Sequence, residues 1–229
     1  MEHWQMRTEA LLGPDAVQRM AKSRVLLFGV GGVGAACAEA LARGGVGDIT
    51  LVDPDVVCES NLNRQVVALR SNLGRYKAEA MADRIRDINP HCRVQVYCMF
   101  YGAENADSIE FSGYDYVIDA IDSVASKLLL VEKCMACGTP VISSMGTGGK
   151  LDPGKLRIAD IYETETCPLA RVMRRELRRR NIRKLDCVFS PEEPTRRPEA
   201  GTTIGTVSFV PPVAGYLLAG YVIRKLAEA

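Results

Sequence analysis

Histidine is nearly missing from this sequence: only His3 and His91 occur in 229 residues. Both lie outside every motif described below, so no histidine general base is evident. A net charge is missing as well. Lys plus Arg (29) against Asp plus Glu (28) leaves +1, so no global field draws the chain to nucleic acid or membrane, and any basic patch must be local. A membrane span is not expected. The one apolar run worth testing, Val207 to Ile223, is seventeen residues long and interrupted by Pro211-Pro212, whereas a span needs about twenty continuous residues. It reads as a buried strand followed by a buried helix. The opening stretch MEHWQMRTEALLGPDAVQRM carries charges throughout and has no apolar h-region, so no secretory leader is expected. Paired CxxC motifs are missing too. Only Cys134-Met135-Ala136-Cys137 has that spacing, and it falls on a predicted helix, so no zinc is expected. The eight cysteines are scattered and read as free thiols of a cytoplasmic protein. What is present is an ordinary globular mix, 47% apolar and 25% charged, long enough to bury the core of one large α/β domain.

No internal repeat is visible. Residues 5–22 read as one helix ahead of the first strand. Arg24–Val30 is a continuous apolar run, as a central parallel strand requires. Residues 34–43 are Ala-rich and helical, and Asp48–Val52 is a second strand. In 74–88, Ala78, Met81, Ile85 and Ile88 fall at helical spacing, and Asn89-Pro90 ends the helix. Further strands are predicted at 93–99, 114–119 and 140–144, with a helix over 127–137. This alternation predicts a doubly wound, mainly parallel sheet. After Gly146 the pattern changes to a glycine-rich turn region, a helix over 167–181 and a proline-rich stretch over 190–203 that reads as a mobile loop. A strand over 206–210 and a final helix over 212–226 follow. The chain is expected to form one domain over 1–229, with a nucleotide-binding core over 1–150 and a substrate-side α+β extension over 151–229.

Gly29-Val30-Gly31-Gly32-Val33-Gly34 follows the first strand and opens a helix. Glycines there allow a tight turn and close approach to a phosphate, and the helix N-terminus supplies N–H donors and partial positive charge. Asp53 ends the second strand nineteen residues after Gly34, where a carboxylate accepts from ribose hydroxyls. The combination points to a nucleotide without saying which, and a nicotinamide cofactor remains open on these residues alone.

The segments that follow narrow the choice. Asp53-Pro54-Asp55 is succeeded by Asn61-Leu62-Asn63-Arg64-Gln65, by Lys77, and by Asp119-Ala120-Ile121-Asp122-Ser123 after the fourth strand. Hydride transfer has no need of that polar set, whereas a triphosphate does. Arg and Lys neutralise phosphate oxygens and the charge on leaving pyrophosphate. A carboxylate at a strand end can hold a partly hydrated Mg²⁺.

GVGGVG, the Asp53 terminus, NLNRQ, Lys77 and DAIDS together resemble the ubiquitin-activating-enzyme-like adenylyltransferase family, which activates a carboxylate as an acyl-adenylate on a Rossmann-like sheet. SSMGTGGKLDP, DIYETETCPLARVMRRELRRR and DCVFSPEEP resemble one branch of it, the tRNA threonylcarbamoyladenosine dehydratases. That resemblance implies an ATP-dependent enzyme that activates the carboxylate of a threonylcarbamoyl group on an anticodon-loop adenosine. Ring closure would follow with net loss of water. It implies that Gly29, Gly31, Gly32 and Gly34 line the nucleotide, with Asp53 on the ribose and Asn63, Arg64 and Lys77 on the phosphates. Asp55, Asn61 and Gln65 complete the nucleotide site. Asp122 would bind Mg²⁺, and Arg7 would reach the ATP of a second subunit, making a homodimer. A sulfur-transfer protein is among the implied partners. The alternative within the family is activation of the C-terminal glycine of a ubiquitin-like sulfur carrier.

Ubiquitin-type activators also use a catalytic cysteine, and Cys167 and Cys187 are the candidates by position. Ring closure by an internal nucleophile needs no enzyme thiolate, so neither is expected to act covalently. A last feature is electrostatic. Arg171, Arg174, Arg175, Arg178, Arg179, Arg180, Arg183 and Lys184 fall within fourteen residues, with Glu176 as the only acid. On a nearly neutral chain this is a concentrated positive face suited to tRNA phosphates.

Overall fold

In the computed structural model, residues 3–195, 201 and 204–228 are described. One seven-stranded sheet organises them. In chain order its strands are β1 (Arg24–Phe28), β2 (Asp48–Val52), β3 (Arg93–Tyr97), β4 (Tyr116–Asp119), β5 (Val141–Ser144), β6 (Arg157–Asp160) and β7 (Asp186–Phe189). Their order across the sheet is β3-β2-β1-β4-β5-β7-β6. Every pairing is parallel except β6 with β7 at the edge. The strand order reverses between β1 and β4. In a doubly wound sheet that reversal opens a crevice above the carboxyl ends of the strands.

Alternation along each strand supplies a core on both faces. Val25 and Leu27 of β1 join Ile49 and Leu51 of β2 and Ile118 of β4 on one face. There they pack against α2 (Pro14–Lys22), α3 (Gly34–Gly44), α4 (Lys77–Ile88) and α7 (Val210–Glu228). Leu26 and Phe28 point the other way, toward α5 (Val124–Cys137) and α6 (Pro168–Arg179). On that face Phe28 packs against Tyr101 and Phe111 at centroid distances of 4.8 and 5.7 Å.

The structure corrects three expectations. The single helix over 5–22 is two, α1 (Met6–Leu12) and α2. Gly13 stands between them at φ 85, and Pro14 opens the second helix, where its missing N–H costs nothing. The strand over 206–210 does not form. The place beside β5 is taken by β7, and the described residues of that segment pair with no strand. α7 therefore starts at Val210, with both prolines in its first turn. The turn-rich stretch after Gly146 contains β6, an antiparallel edge strand of four residues that is too short to show alternation. Of the loop expected over 190–203, residues 196–200 and 202–203 lie outside those described. Ser190 within it is fully buried.

Candidate active site

The glycine loop leaves β1 at the reversal point and is held by its neighbours. Gly29 adopts φ 86, and its N–H donates to the Val52 carbonyl at 2.8 Å. The Val30 N–H donates to Asp53 Oδ2 at 2.6 Å, and the Asp55 N–H to Asp53 Oδ1 at 2.9 Å. Asp53 is thus an anchor of the loop as well as a candidate ribose ligand. It is buried, and burial pushes its carboxyl above the usual range, opposed by the two N–H donors and by Lys77. No side chain caps α3, so the electropositive end of that helix is open to an anion.

A cleft of about 510 Å³ lies above the loop. Its wall brings together Gly29, Gly31, Gly32, Asp53, Asp55, Asn61, Arg64, Gln65, Lys77 and Asp122, residues from five separate segments. The Lys77 ammonium, on the first residue of α4, is buried and donates to Asp55 Oδ2 at 2.7 Å. The Arg64 guanidinium donates to the Ser60 carbonyl at 2.9 Å and to Asn63 Oδ1 at 2.8 Å. Asp122 is exposed at the lip. An anion entering here meets two cations and a helix N-terminus.

Three of the expected residues stand outside the wall. A Cβ on Gly34 would fall 1.8 Å from the Gly29 carbonyl oxygen, so Gly34 serves the packing of helix on strand. Asn63 turns its Nδ2 to the Thr206 carbonyl at 3.0 Å. Arg7 is exposed on α1 and does not enter the cleft of its own chain. Other wall residues carry no motif. Met99, Phe100 and Tyr101 leave β3 at one end of the cleft, where they offer an apolar bed for a flat ring. Their only sequence signal is position, immediately after a strand that ends at the ligand edge. Thr147, Thr206 and Pro211 also line the cleft.

Cys167 and Cys187 are both buried and neither lines the cleft. Burial pushes the Cys187 thiol up to about 12, which keeps it protonated and a poor nucleophile. The arginines of α6 are less free than their number suggests. Arg174 donates to the Thr164 carbonyl at 2.8 Å. Arg175, Arg179 and Arg180 share Glu176, and Arg180 also pairs with Glu132. Arg178 lies over the Tyr162 ring. Lys184 stands 3.5 Å from Asp186. Arg171 and Arg183 are exposed. One shared glutamate cannot neutralise so many cations, and the outer face of the helix stays positive.

Fold and cleft together define a doubly wound α/β protein with a phosphate-type site at its topological switch point. Its family is the ThiF family, whose pattern matches residues 4–229; the chain belongs to that family. It is 41% identical over 244 residues to the tRNA threonylcarbamoyladenosine dehydratase of Bacillus subtilis, covering 100% of this chain and 96% of that one. The crystal structure of the E. coli tRNA N6-threonylcarbamoyladenosine dehydratase, TcdA, in complex with ATP superposes with a TM-score of 0.91 at 38% identity. That match spans 100% of this chain and 96% of the E. coli chain. The adenylyltransferase and sulfurtransferase UBA4 of Candida glabrata is 34% identical, over 71% of this chain and 37% of its own length. No helix among the described residues is long and apolar enough to cross a membrane.

Proposed function

We propose that this protein is an ATP-dependent tRNA threonylcarbamoyladenosine dehydratase acting in the cytoplasm. The observation that carries the reading is the single cleft in which the glycine loop, Asp53, Arg64, Lys77 and Asp122 converge, in a chain matching dehydratase relatives over nearly their full length. The sulfur-carrier alternative is not favoured, since UBA4 matches only part of this chain.

In this reading ATP lies across the glycine loop with its base against Phe100 and its ribose on Asp53. A carboxylate oxygen of the tRNA-borne threonylcarbamoyl group attacks the α-phosphorus, and the bond to pyrophosphate breaks. Arg64 and Lys77 neutralise charge on the α-phosphate and the leaving group, Lys77 exchanging Asp55 for phosphate. A nucleophilic atom of the carbamoyl group then attacks the acyl carbon, closing a five-membered ring. It gives up a proton, and AMP departs. Relative to the starting tRNA the product has lost one water, and proximity supplies much of the rate. Asp122 suits Mg²⁺, because one carboxylate joined by phosphate oxygens and waters is the hard oxygen set this ion takes. When bound, Mg²⁺ would offset charge on the triphosphate.

A homodimer completes this reading. α1 buries none of its residues against its own chain and exposes Met6, Leu11 and Leu12, apolar side chains that a second copy could cover. Arg7 on that helix is then available to the other subunit's ATP. The exposed arginines of α6 and Arg183 would hold tRNA phosphates.

Mass spectrometry of tRNA nucleosides after incubation with ATP tests the proposal. A species lighter by one water, with stoichiometric AMP, is expected from tRNA and not from a Gly-Gly-tailed carrier protein. Arg64→Ala and Asp122→Ala should each cut AMP formation by about 10²–10³-fold with the fold intact. Wild-type turnover in either variant removes the site assignment.

A further inference from the structure

A buried ion pair lies beneath the cleft and takes no part in lining it. Lys127 on α5 and Asp119 at the end of β4 are both fully buried, with Nζ 2.8 Å from Oδ2. The ammonium has three N–H donors, and each finds an acceptor: Asp119 Oδ2 at 2.8 Å, Ser143 Oγ at 3.2 Å and the Ser144 carbonyl at 2.8 Å. The Ser143 hydroxyl donates in turn to Asp119 Oδ2. Asp119 Oδ1 accepts the Ile121 N–H at 3.1 Å. The network is closed, with no solvent-exposed member.

Burying such a pair brings little net stability over apolar packing of the same volume. What it supplies is direction, and the groups it ties are two strand ends from which separate segments of the cleft wall depart. The loop after β4 carries Ala120, Ile121 and Asp122, and the loop after β5 carries Thr147. β4 and β5 are adjacent, and their ladder stops at Asp119 opposite Ser143, the last residue of β4 and the last but one of β5. At the close of that ladder Lys127 ties the two strands, holding the Asp119 side chain on one and the terminal Ser144 carbonyl on the other.

We propose that Lys127 is a positioning residue that fixes the spacing between these two segments of the cleft wall, and so the alignment of the substrate carboxylate with the α-phosphorus. This rests on the proposed ATP-dependent activation. Removing Lys127 alone would strand a buried carboxylate, so the informative variant is Lys127→Met with Asp119→Asn. Asparagine keeps an oxygen for the Ile121 N–H. The double variant should melt near the wild type and bind ATP within about threefold of it, with an unchanged KM for tRNA. Its kcat for AMP formation should fall about 10²-fold, since misplacement by an ångström costs that much. Wild-type kcat in a folded double variant overturns the proposal. If the double variant does not fold, Ser143→Ala, which removes one acceptor and leaves the ion pair, decides the matter. A lowered kcat at constant KM supports the proposal, and wild-type kcat overturns it. Hydrogen exchange gives a readout independent of turnover: amides of 120–123 and 145–150 should exchange faster in whichever variant folds, and unchanged protection overturns the proposal. A failure of the functional reading looks different, because the wild-type protein would then form no AMP with tRNA.

Discussion

Val30 and Asp53 are joined by a hydrogen bond of 2.6 Å from backbone N–H to carboxylate, which ties the crown of the glycine loop to the end of β2. Both Asp53 oxygens already serve the backbone, and the residue also lines the cleft. Asp53→Ala should therefore do double damage, unpairing a buried N–H and deleting the proposed ribose ligand. Calorimetric titration should show ATP affinity reduced by about tenfold or more, with a loss of roughly 1–3 kcal/mol in stability. An unchanged ATP affinity would take Asp53 out of the nucleotide site.

The glycines of the loop should separate by role. A Cβ on Gly34 collides with the Gly29 carbonyl at 1.8 Å, whereas one on Gly31 meets nothing nearer than Gln65 Nε2 at 3.9 Å. Gly34→Ala should express poorly or melt many degrees lower. Gly31→Ala should keep the wild-type melting temperature and weaken ATP binding, because its methyl group occupies the phosphate's approach. Equal melting losses in both would contradict this division.

On α6 and just after it, only some arginines are open to the proposed RNA partner. Replacing Arg171, Arg175, Arg178 and Arg183 with Ser should raise the KM for tRNA and flatten its dependence on salt, by about one unit of log–log slope for each phosphate no longer neutralised. Arg174→Ser should behave differently, since that guanidinium is tied to Thr164, and its effect should appear in melting temperature first. An unchanged salt slope in the fourfold variant would separate this helix from tRNA.

Glu39 carries the acid side of stability. It sits on α3 between Arg43 at 2.9 Å and Arg84 at 2.6 Å, and the second of these pairs joins α3 to α4. Burial would raise its carboxyl, but the two arginines outweigh burial and hold it below the usual range. A depressed folded value means that the stabilisation is present above the unfolded value and is lost as pH falls through the folded one. Glu39→Gln should lower the melting temperature at pH 7 by a few degrees, for a loss of about 1–2 kcal/mol. The deficit should shrink steadily below about pH 4, as followed by circular dichroism melts.

Much of this was legible in the chain. The run Val25–Phe28, buried on both faces, announces a central parallel strand by its lack of polar breaks. The glycine loop, Asp53 and the NLNRQ and DAIDS segments mark the cleft because each chemistry needs a fixed residue type at a strand's carboxyl end. Less legible were α1 and α2, where a single Gly-Pro pair divides a helical pattern. The segment 206–210 was also misleading, since the place beside β5 is held by β7, which comes earlier in the chain.

Local pattern by itself determined most of the alternation of strands and helices and the glycine loop, because each depends on residues close in sequence; Arg64 and Lys77 were marked only by their resemblance to a known family. Tertiary structure alone decided that Gly34 packs rather than lines, that Asn63 faces Thr206, that Glu176 gathers three arginines, and that Lys127 finds Asp119, Ser143 and Ser144. Those outcomes depend on which strand ends lie side by side, and that is set by the sheet order and the burial of both its faces.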